Sequence, residues 1–457
     1  APSHMMEVCA ECVFWALLGI QWIIHIWDSF LISRQLSLHR RTTQRPSQLS
    51  DLLSEEQFTK ARAYSIDRLQ YRIFRNTIDL IISSALLVSG GLPWLWYTAD
   101  SVAPSATTAL FLAGYSLFSL ITDFPLSFYE HFVVEEKHGF NKYTIKFYVL
   151  DTLKKSLVSY VLITPILLGA VWVVENTGPY FFVFLWLFAS VVILAMLTIY
   201  PSFIAPLFDT YIPLPEGELK QAIEALAASV DYPLKKLYVV DGSKRSAHSN
   251  AYMYGFWKNK RIVLYDTLLG GEERVQVKRA LAEAANTTLD ESERAEEEKK
   301  ILEDGKGMKR EEVVAVLGHE LGHWAESHTL CQLLISELNI FFFFYCFSLF
   351  QGWPLLGQGF GFSQPTPTLI SLLLVMQYVM SAYSEVFSVL SAMLTRRMEF
   401  AADAYAARLG KSRLLQAALT KLSVDNLSLP LDDPLYSLCK FSHPPVPERI
   451  AALKKFE

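Results

Sequence analysis

Apolar residues along this chain are concentrated in seven long segments that are separated by polar loops. A helix needs about 20 apolar residues to cross a bilayer, and each segment reaches that length. The segments cover residues 10–33, 76–98, 107–127, 156–175, 180–205, 329–350 and 367–395. The pattern predicts an all-α polytopic membrane protein with seven transmembrane helices.

Lys and Arg residues occur in every second loop of this arrangement. Residues 34–75 contain nine of them, whereas the next loop, 98–107, contains none. The later loops continue this alternation. Loops 128–155 and 207–328 and the chain after 396 contain Lys and Arg, whereas loops 175–179 and 351–365 contain none. Because basic loops stay on the cytosolic side of a membrane, we expect the N-terminus in the lumen and the C-terminus in the cytosol.

The segment 207–328, between the fifth and sixth spans, is predicted to fold as a small cytosolic α/β unit. Residues 219–230 have helical periodicity. Two short apolar runs are typical of strands: 237–240 and 261–265. The residues between these runs, 250–255 and 258–260, indicate a turn.

Residues 283–311 are rich in Glu, Lys, Asp and Gly and lack an apolar helical face. They are interpreted as a mobile cytosolic insertion without chemistry. Residues 1–5 look like a cloning remnant. The remaining chain divides into spans one to five, the cytosolic unit, spans six and seven, and a cytosolic C-terminal segment: 6–206, 207–328, 329–396 and 397–457.

Composition supports a membrane protein and narrows the partners. The chain is 52% hydrophobic and only 19% charged, against about 25% in soluble proteins. Its net charge of −5 and the lack of a basic, aromatic patch exclude nucleic acid as a partner. Four of the five cysteines lie in or beside apolar segments, so neither a disulfide framework nor a redox pair at Cys9 and Cys12 is expected.

The stretch from Val314 to Trp324 has the residues and spacing of a zinc peptidase helix. His319 and His323 are four residues apart, so one helical turn places both imidazoles on one face. Two imidazoles bind Zn²⁺ well, and a catalytic site keeps one position open for water. Glu320 is the candidate general base that takes a proton from this water and later delivers it to the leaving amine.

A third protein ligand is expected from another helix. The metzincin pattern is excluded, because Thr329 stands where that class has its third histidine. His328 is expected to face away, since nine residues of helix rotate it by about 180° from His319. Glu399 is the favoured ligand, and Asp403, one turn later, is expected to accept the other ring N–H of a ligand histidine.

Alternatives to this ligand set remain open. Glu399 and Asp403 also fit a surface pair that caps a cytosolic helix. Glu337 and Glu385 are acidic residues inside apolar spans, where carboxylates usually line an interior cavity. They compete as ligands, but they lie deeper than the histidines, so we expect them to line a cavity.

Several motifs together resemble the type I CAAX prenyl proteases, integral-membrane zinc peptidases of the endoplasmic reticulum and nuclear envelope that process prelamin A and a yeast mating pheromone. The resemblance covers nearly the whole chain. The motifs lie at 133–142, 199–208, 213–219, 248–252, 314–324, 399–403 and 442–445. The segment Glu135-Glu-Lys-His-Gly-Phe-Asn141 and the layout of seven spans are more specific than the zinc helix, which many peptidases share.

The resemblance implies seven spans around a large internal chamber, with one zinc ion per chain facing inward and a cytosolic α/β cap. It implies cleavage after a prenylated cysteine, release of the last three residues, and a second upstream cut in some substrates. His443 is implied as the group that stabilises the oxyanion, and Asn250 as a residue on an edge strand that pairs with substrate. Arg449 is a candidate to attract the substrate carboxylate, with a surface salt bridge as the alternative.

The expected partners are prenylated CAAX proteins and membrane lipid, and the chain is expected to be monomeric. Lys454 and Lys455 resemble a dilysine retrieval address, which favours the endoplasmic reticulum membrane. Two other functions are weighed against this one. The first is a membrane zinc protease for misfolded or non-prenylated substrates, and the second is a transporter or receptor with a non-catalytic zinc site.

Overall fold

Long helices account for all seven apolar segments. The computed structural model describes residues 9–255, 260–285 and 290–457, so the expectations for residues 1–5 and for 258–259 lie outside the described residues. Within those ranges, five continuous helical segments are long and apolar enough to cross a membrane: Ala10–Arg41, Pro104–Glu135, Ile145–Asn176, Gly178–Leu207 and His328–Phe350. Two bent helix pairs meet the same criterion together: Glu55–Val88 with Gly91–Val102, and Thr368–Val379 with Ser381–Arg408.

The two bends modify the predicted spans 76–98 and 367–395, which the sequence pattern treats as continuous. The first bend is 59° and falls at Gly90, whose φ of 70° is the left-handed conformation that ends a helix. The second bend is 58° and falls at Met380, directly after a π-helical turn. Both bends therefore lie where the backbone hydrogen-bond ladder is interrupted.

The described chain folds into helices and four strands. The first eleven helices are α1 (Ala10–Arg41), α2 (Glu55–Val88), α3 (Gly91–Val102), α4 (Thr107–Tyr129), α5 (Ile145–Asn176), α6 (Phe181–Ile199), α7 (Glu218–Ser229), α8 (Gly271–Ala284), α9 (Glu291–Glu303), α10 (Arg310–Ala325) and α11 (His328–Phe350). The others are α12 (Pro354–Gly359), α13 (Thr368–Leu374), α14 (Ser381–Arg408), α15 (Ser412–Asp425), α16 (Pro434–Lys440) and α17 (Val446–Leu453). The strands are β1 (Tyr211–Pro213), β2 (Leu234–Val240), β3 (Ala251–Tyr254) and β4 (Lys260–Tyr265).

The four strands form one sheet in the order β1-β2-β4-β3. The pair β2 and β4 is parallel, whereas β1 and β3 run antiparallel to their neighbours. The predicted α/β unit is confirmed, with α7 and strands β2 and β4 at the expected positions. The expected turn at 250–255 is wrong, because Ala251–Tyr254 pairs with β4 as the edge strand β3.

The charged segment 283–311 is more regular than its composition indicates. Its described part contains α9, which packs on α8 and forms the ion pair Arg279–Glu298. Ile301 is buried, and the backbone of Met308 bonds to that of Leu268 and Gly270. Residues 290–311 therefore contain a helix and contacts with the cap that the composition does not indicate, while the interpretation as a mobile insertion stays a prediction.

The structure also joins Cys9 to Cys12 by a disulfide at the beginning of α1. This corrects the expectation that neither cysteine is paired. The two residues are three apart at a helix N-terminus, where Cys9 Sγ also accepts a hydrogen bond from Cys12 N.

Helix α10 lies in the centre of the cap and packs closely on α14. A Cβ atom at Gly322 would lie 2.8 Å from Ala402 Cα and 2.9 Å from Ala402 O, so only glycine allows this approach. Ala402 and Ala406 on α14 are fully buried in the same contact. This close approach brings Glu399, one turn before Asp403 on α14, to the face of α10 that carries His319 and His323.

Candidate metal centre

Three side chains from α10 and α14 converge at this helix contact. His319, His323 and Glu399 each offer a ligand atom, and these atoms lie within 4.8 Å of one another. His319 Nε2 lies 3.2 Å from His323 Nε2 and 3.5 Å from Glu399 Oε2, while His323 Nε2 lies 3.3 Å from Glu399 Oε1. These are the three ligands that the sequence predicts, and their role stays a prediction.

The spacing of these atoms fits a tetrahedral metal ion. Ligand atoms about 2.0–2.1 Å from a tetrahedral zinc ion lie roughly 3.3–3.4 Å from each other. The two nitrogens are 3.2 Å apart, and each lies 3.3–3.5 Å from its nearest Glu399 oxygen, Oε2 for His319 and Oε1 for His323, so these nearest separations are close to this value. In addition, Glu399 Oε2 is buried and accepts no hydrogen bond from the described residues, since Arg449 Nη1 and His319 Nε2 each lie 3.5 Å away. The residues therefore fit a metal ion.

Asp403 lies behind His319 and fixes its ring. Its Oδ1 is 2.8 Å from His319 Nδ1, so the Nε2 atom is left to face Glu399 and His323. Burial would raise the pKa of Asp403, but hydrogen bonds from Arg449 and His319 outweigh burial and hold this pKa below its usual value. Asp403 therefore stays ionised and favours the tautomer of His319 that ligates through Nε2.

Arg449 occupies a buried position beside this carboxylate. Its Nε and Nη2 atoms donate to the two oxygens of Asp403 at 2.8 and 2.6 Å. Its Nη1 lies 3.5 Å from Glu399 Oε2. The alternative of a surface salt bridge is wrong, because the residue is only 7% exposed. The predicted contact with a substrate carboxylate stays a prediction.

Seven of the eight predicted site residues line one cavity of about 290 Å³. They are Asn250, His319, Glu320, His323, Glu399, His443 and Arg449. Apolar residues of α15 complete the wall, among them Leu415 and Leu419. Burial raises the pKa of Glu320 above its usual value, which brings a carboxylate closer to the range of a general base at neutral pH.

His443 lies in the loop between α16 and α17, and Asn250 lies just before β3, so two distant segments of the chain contribute to the cavity. His443 Nε2 lies 3.3 Å from Glu399 Oε1, and its side chain remains 64% exposed. Asn250 directly precedes the edge strand β3, and its carbonyl accepts a hydrogen bond from Tyr265 N in β4. Both side chains are thus open to a molecule in the cavity.

The two carboxylates that compete as ligands lie elsewhere. Glu337 accepts hydrogen bonds from Trp186 and Ser190 within the spans. Glu385 lies 3.6 Å from Lys440 Nζ. Neither belongs to the group of His319, His323 and Glu399.

His328 is a residue that the sequence argument places wrongly. We expect it to face away if α10 continues, but α10 ends at Ala325 and Ser327 adopts φ of 57°. His328 therefore does not continue the rotation of α10, and its Nδ1 lies 2.9 Å from His323 Nδ1. The signal that could have found it is the recurrence of histidine five residues after His323.

The contacts of His248, which are not expected from the sequence, support the loop before β3. His248 stacks on Phe140 at 4.1 Å, and its Nε2 lies 3.2 Å from Tyr64 Oη and 3.5 Å from Glu135 Oε2. Its Nδ1 lies 3.3 Å from Asn426 Oδ1. The motif 135–141, which carries much of the family resemblance, thus holds the loop that leads to Asn250.

Comparisons with known proteins agree along the whole chain. The family profile described as the CAAX prenyl protease N-terminal region with five membrane helices matches residues 34–210, and peptidase family M48 matches 213–457. A CAAX prenyl protease 1 homolog of Caenorhabditis elegans is 49% identical over 98% of this chain and 99% of its own length. The human homolog is 42% identical over 97% of this chain and 95% of its own length.

A solved structure shares the architecture. The crystal structure of S. mikatae Ste24p superposes with a TM-score of 0.81 at 32% identity, covering 96% of this chain and 98% of that chain. The predicted fold class, with transmembrane helices around an internal chamber and an α/β peptidase cap, is therefore confirmed.

Proposed function

This chain belongs to the M48 family of CAAX prenyl proteases, and we propose that it removes the last three residues from prenylated CAAX proteins. Membership of the family makes it a membrane metalloprotease that processes CAAX proteins. The finer proposal is an endopeptidase cut directly after the prenylated cysteine, with a second upstream cut in some substrates. The observation that carries it is the convergence of His319, His323 and Glu399 in one cavity with Glu320.

The proposed cofactor is one zinc ion per chain, held by His319, His323 and Glu399. The support is the separation of 3.2–3.5 Å between their ligand atoms and the buried, unbonded Glu399 Oε2. Two imidazoles and one carboxylate are a common donor set for catalytic zinc. When bound, zinc polarises a scissile carbonyl and lowers the pKa of water.

Glu320 and His443 have separate proposed roles in this chemistry. Glu320 accepts a proton from the attacking water and donates it to the leaving amine, and its raised pKa suits that exchange. His443 donates a hydrogen bond to the developing oxyanion. Its exposure to the cavity and its position 3.3 Å from Glu399 Oε1 support this role. Asp403 orients His319 from behind.

Substrate is proposed to bind as an extended strand along β3. Among the described residues β3 pairs only with β4, so its other edge is free to accept a peptide backbone. Asn250 lies at the end of this edge next to the cavity. Arg449 uses Nε and Nη2 for Asp403, whereas Nη1 lies 3.5 Å from Glu399 Oε2 and is the nitrogen proposed to contact a substrate oxygen in the cavity.

The membrane is proposed to deliver the substrate. The alternation of basic loops favours the cytosolic side for the cavity, where a lipidated C-terminus meets the membrane surface. A prenyl chain gains about 0.8 kcal/mol per buried CH₂, so the bilayer concentrates such a substrate beside the spans. We propose that the protein resides in the endoplasmic reticulum membrane and, because the two membranes are continuous, in the inner nuclear membrane as well. We propose that it acts as a monomer among membrane lipids.

A pair of peptides tests this function. Purified protein with one zinc per chain is given a farnesylated Cys-aliphatic-aliphatic-X peptide and the same peptide without farnesyl. We expect the farnesylated peptide to be cut much faster, with the tripeptide as product. Equal cleavage of both would favour the alternative, a membrane zinc protease for misfolded or non-prenylated proteins. A chain that binds zinc but cuts neither peptide would favour a non-catalytic zinc site.

A further inference from the structure

His328 lies outside the zinc motif, yet its ring contacts a proposed ligand directly. His328 Nδ1 is 2.9 Å from His323 Nδ1, and the two ring centres are 5.1 Å apart. His328 is only 8% exposed, so water does not compete freely for this contact. The contact is therefore a buried hydrogen bond between two imidazoles.

The backbone between α10 and α11 is shaped to bring the two rings together. Glu326 N bonds to Gly322 O, which closes the last turn of α10. Ser327 then adopts the left-handed conformation with φ of 57°, which is unfavourable for a residue with a side chain. His328 is the first residue of α11, so the strained Ser327 lies directly before the ring that contacts His323.

The direction of the hydrogen bond follows from the position of the ligand atoms. His323 Nε2 faces His319 Nε2 at 3.2 Å and Glu399 Oε1 at 3.3 Å. An imidazole that ligates a metal through Nε2 carries its proton on Nδ1. His323 Nδ1 is then the donor, and His328 Nδ1 must be the acceptor, with the His328 proton on Nε2.

We infer that His328 is a positioning residue that fixes the tautomer and ring orientation of His323 for metal binding. The inference rests on the proposed function of the site. It completes a pattern in which each ligand histidine presents Nε2 to the cavity and Nδ1 to a partner. The partner of His319 is the carboxylate of Asp403, and the partner of His323 is a neutral imidazole.

Asp403, the partner of His319, is an anion, whereas His328, the partner of His323, is neutral when it accepts this hydrogen bond. A carboxylate increases the basicity of the histidine that it holds, whereas a neutral acceptor mainly orients the ring. Glu399 and Asp403 already supply two negative charges beside His319 and His323, and Arg449 supplies one positive charge. A neutral partner at His323 orients this ligand without adding another anion to a cavity that also contains the carboxyl group of Glu320.

Two substitutions separate the acceptor from simple packing. His328→Phe keeps a ring of similar size and removes the acceptor, while His328→Asn places an amide oxygen close to the position of Nδ1. Zinc affinity is measured by competition with a chelator, and the visible spectrum is recorded after replacement of zinc by Co²⁺. The melting temperature of each metal-free protein reports folding separately.

We expect His328→Phe to lower zinc affinity about 10–100-fold and to change the Co²⁺ spectrum, with Asn restoring most of both. Wild-type affinity in His328→Phe would overturn the inference, and so would equal losses in Phe and Asn. If His328→Phe lowers the melting temperature of the metal-free protein, the zinc affinity of His328→Asn is compared with that of wild type instead. Near-wild-type affinity in His328→Asn then supports the inference, and a loss of about 10–100-fold overturns it. Wild-type protein that binds no zinc would instead contradict the proposed function.

Discussion

Arg449 binds Asp403 through two parallel hydrogen bonds, from Nε to Oδ2 over 2.8 Å and from Nη2 to Oδ1 over 2.6 Å. Both side chains are buried, and the same Oδ1 lies 2.8 Å from His319 Nδ1. A buried ion pair adds little net stability, because desolvation offsets the attraction. The role of Arg449 is better explained as holding the Asp403 carboxylate in hydrogen-bonding position beside His319 Nδ1.

Asp403→Asn is expected to lower zinc affinity or peptide turnover about 10–100-fold while the protein stays folded. The amide keeps the shape of the side chain but no longer provides two anionic acceptors for Arg449 and His319. Zinc titration, turnover and a melting curve of the purified variant test this. Unchanged zinc affinity and turnover would mean that Asp403 serves only to neutralise Arg449.

Glu320→Gln is expected to keep zinc bound and to abolish cleavage. Glu320 lines the cavity but does not belong to the group of three ligands, so the amide removes the proton acceptor without removing a ligand. Metal content and turnover are measured on the same preparation. A variant with full zinc and near-normal turnover would exclude Glu320 as the general base.

Glu399→Ala and Glu385→Ala form a matched pair on α14. Glu399 lies 3.3–3.5 Å from both histidines, whereas Glu385 lies beside Lys440. We therefore expect the first variant to lose most of its zinc and the second to keep it, as measured by elemental analysis. Loss of metal only in the Glu385 variant would show that the wrong carboxylate is assigned.

Asp432 is expected to make stability depend on pH. Burial is the main cause that raises its pKa to about 6, against a hydrogen bond from Gln35. The pKa of Asp432 is higher in the folded state than its ordinary 3.8, so the folded state binds the proton more tightly. The free energy of unfolding therefore decreases as pH rises from about 4 to about 6. Asp432→Asn removes this cost, which is at most about 3 kcal/mol above pH 6.

Melting temperatures in detergent at pH 5 and pH 8 test this prediction. The gain of Asp432→Asn over wild type is expected to be larger at pH 8. Asp433 provides the control with the opposite sign, because its hydrogen bond with Arg34 lowers its pKa. Asp433→Asn should therefore destabilise the protein by nearly the same amount at pH 5 and pH 8, because the contribution of Asp433 is lost only as pH falls below the ordinary value of 3.8. An equal gain of the Asp432 variant at both values would contradict the assigned pKa.

The sequence predicts the spans, and it also selects three side chains that the fold brings together, because both inferences depend on local patterns. Span length follows from runs of apolar residues, and the spacing of His319 and His323 follows from one helical turn. The glutamate could be selected by its place after the last span. What the sequence does not predict depends on backbone breaks. Ser327 in the left-handed conformation separates α10 from α11, so the rotation argument for His328 fails.

Long-range packing explains the other differences. Residues 250–255 contain turn-forming types, but pairing with β4 makes Ala251–Tyr254 a strand. The acidic segment around α9 has little apolar character, yet Ile301 and the pairing of Met308 with Leu268 hold it on the cap. Gly322 is inconspicuous in sequence, although a Cβ atom there would separate α10 from α14. None of these contacts has a signal within a short window of sequence.

His443→Ala is expected to slow cleavage of a farnesylated peptide about 10²–10³-fold, mainly through kcat, with zinc content unchanged. The side chain is exposed to the cavity, and Ser442 Oγ lies 3.0 Å from its Nδ1, which steadies the ring. A hydrogen bond made only to the oxyanion acts in the transition state, so KM should change little. His443→Gln retains a donor and should recover part of the rate. If alanine instead removes zinc, His443 is a ligand, because its Nε2 is as close to Glu399 Oε1 as that of His323.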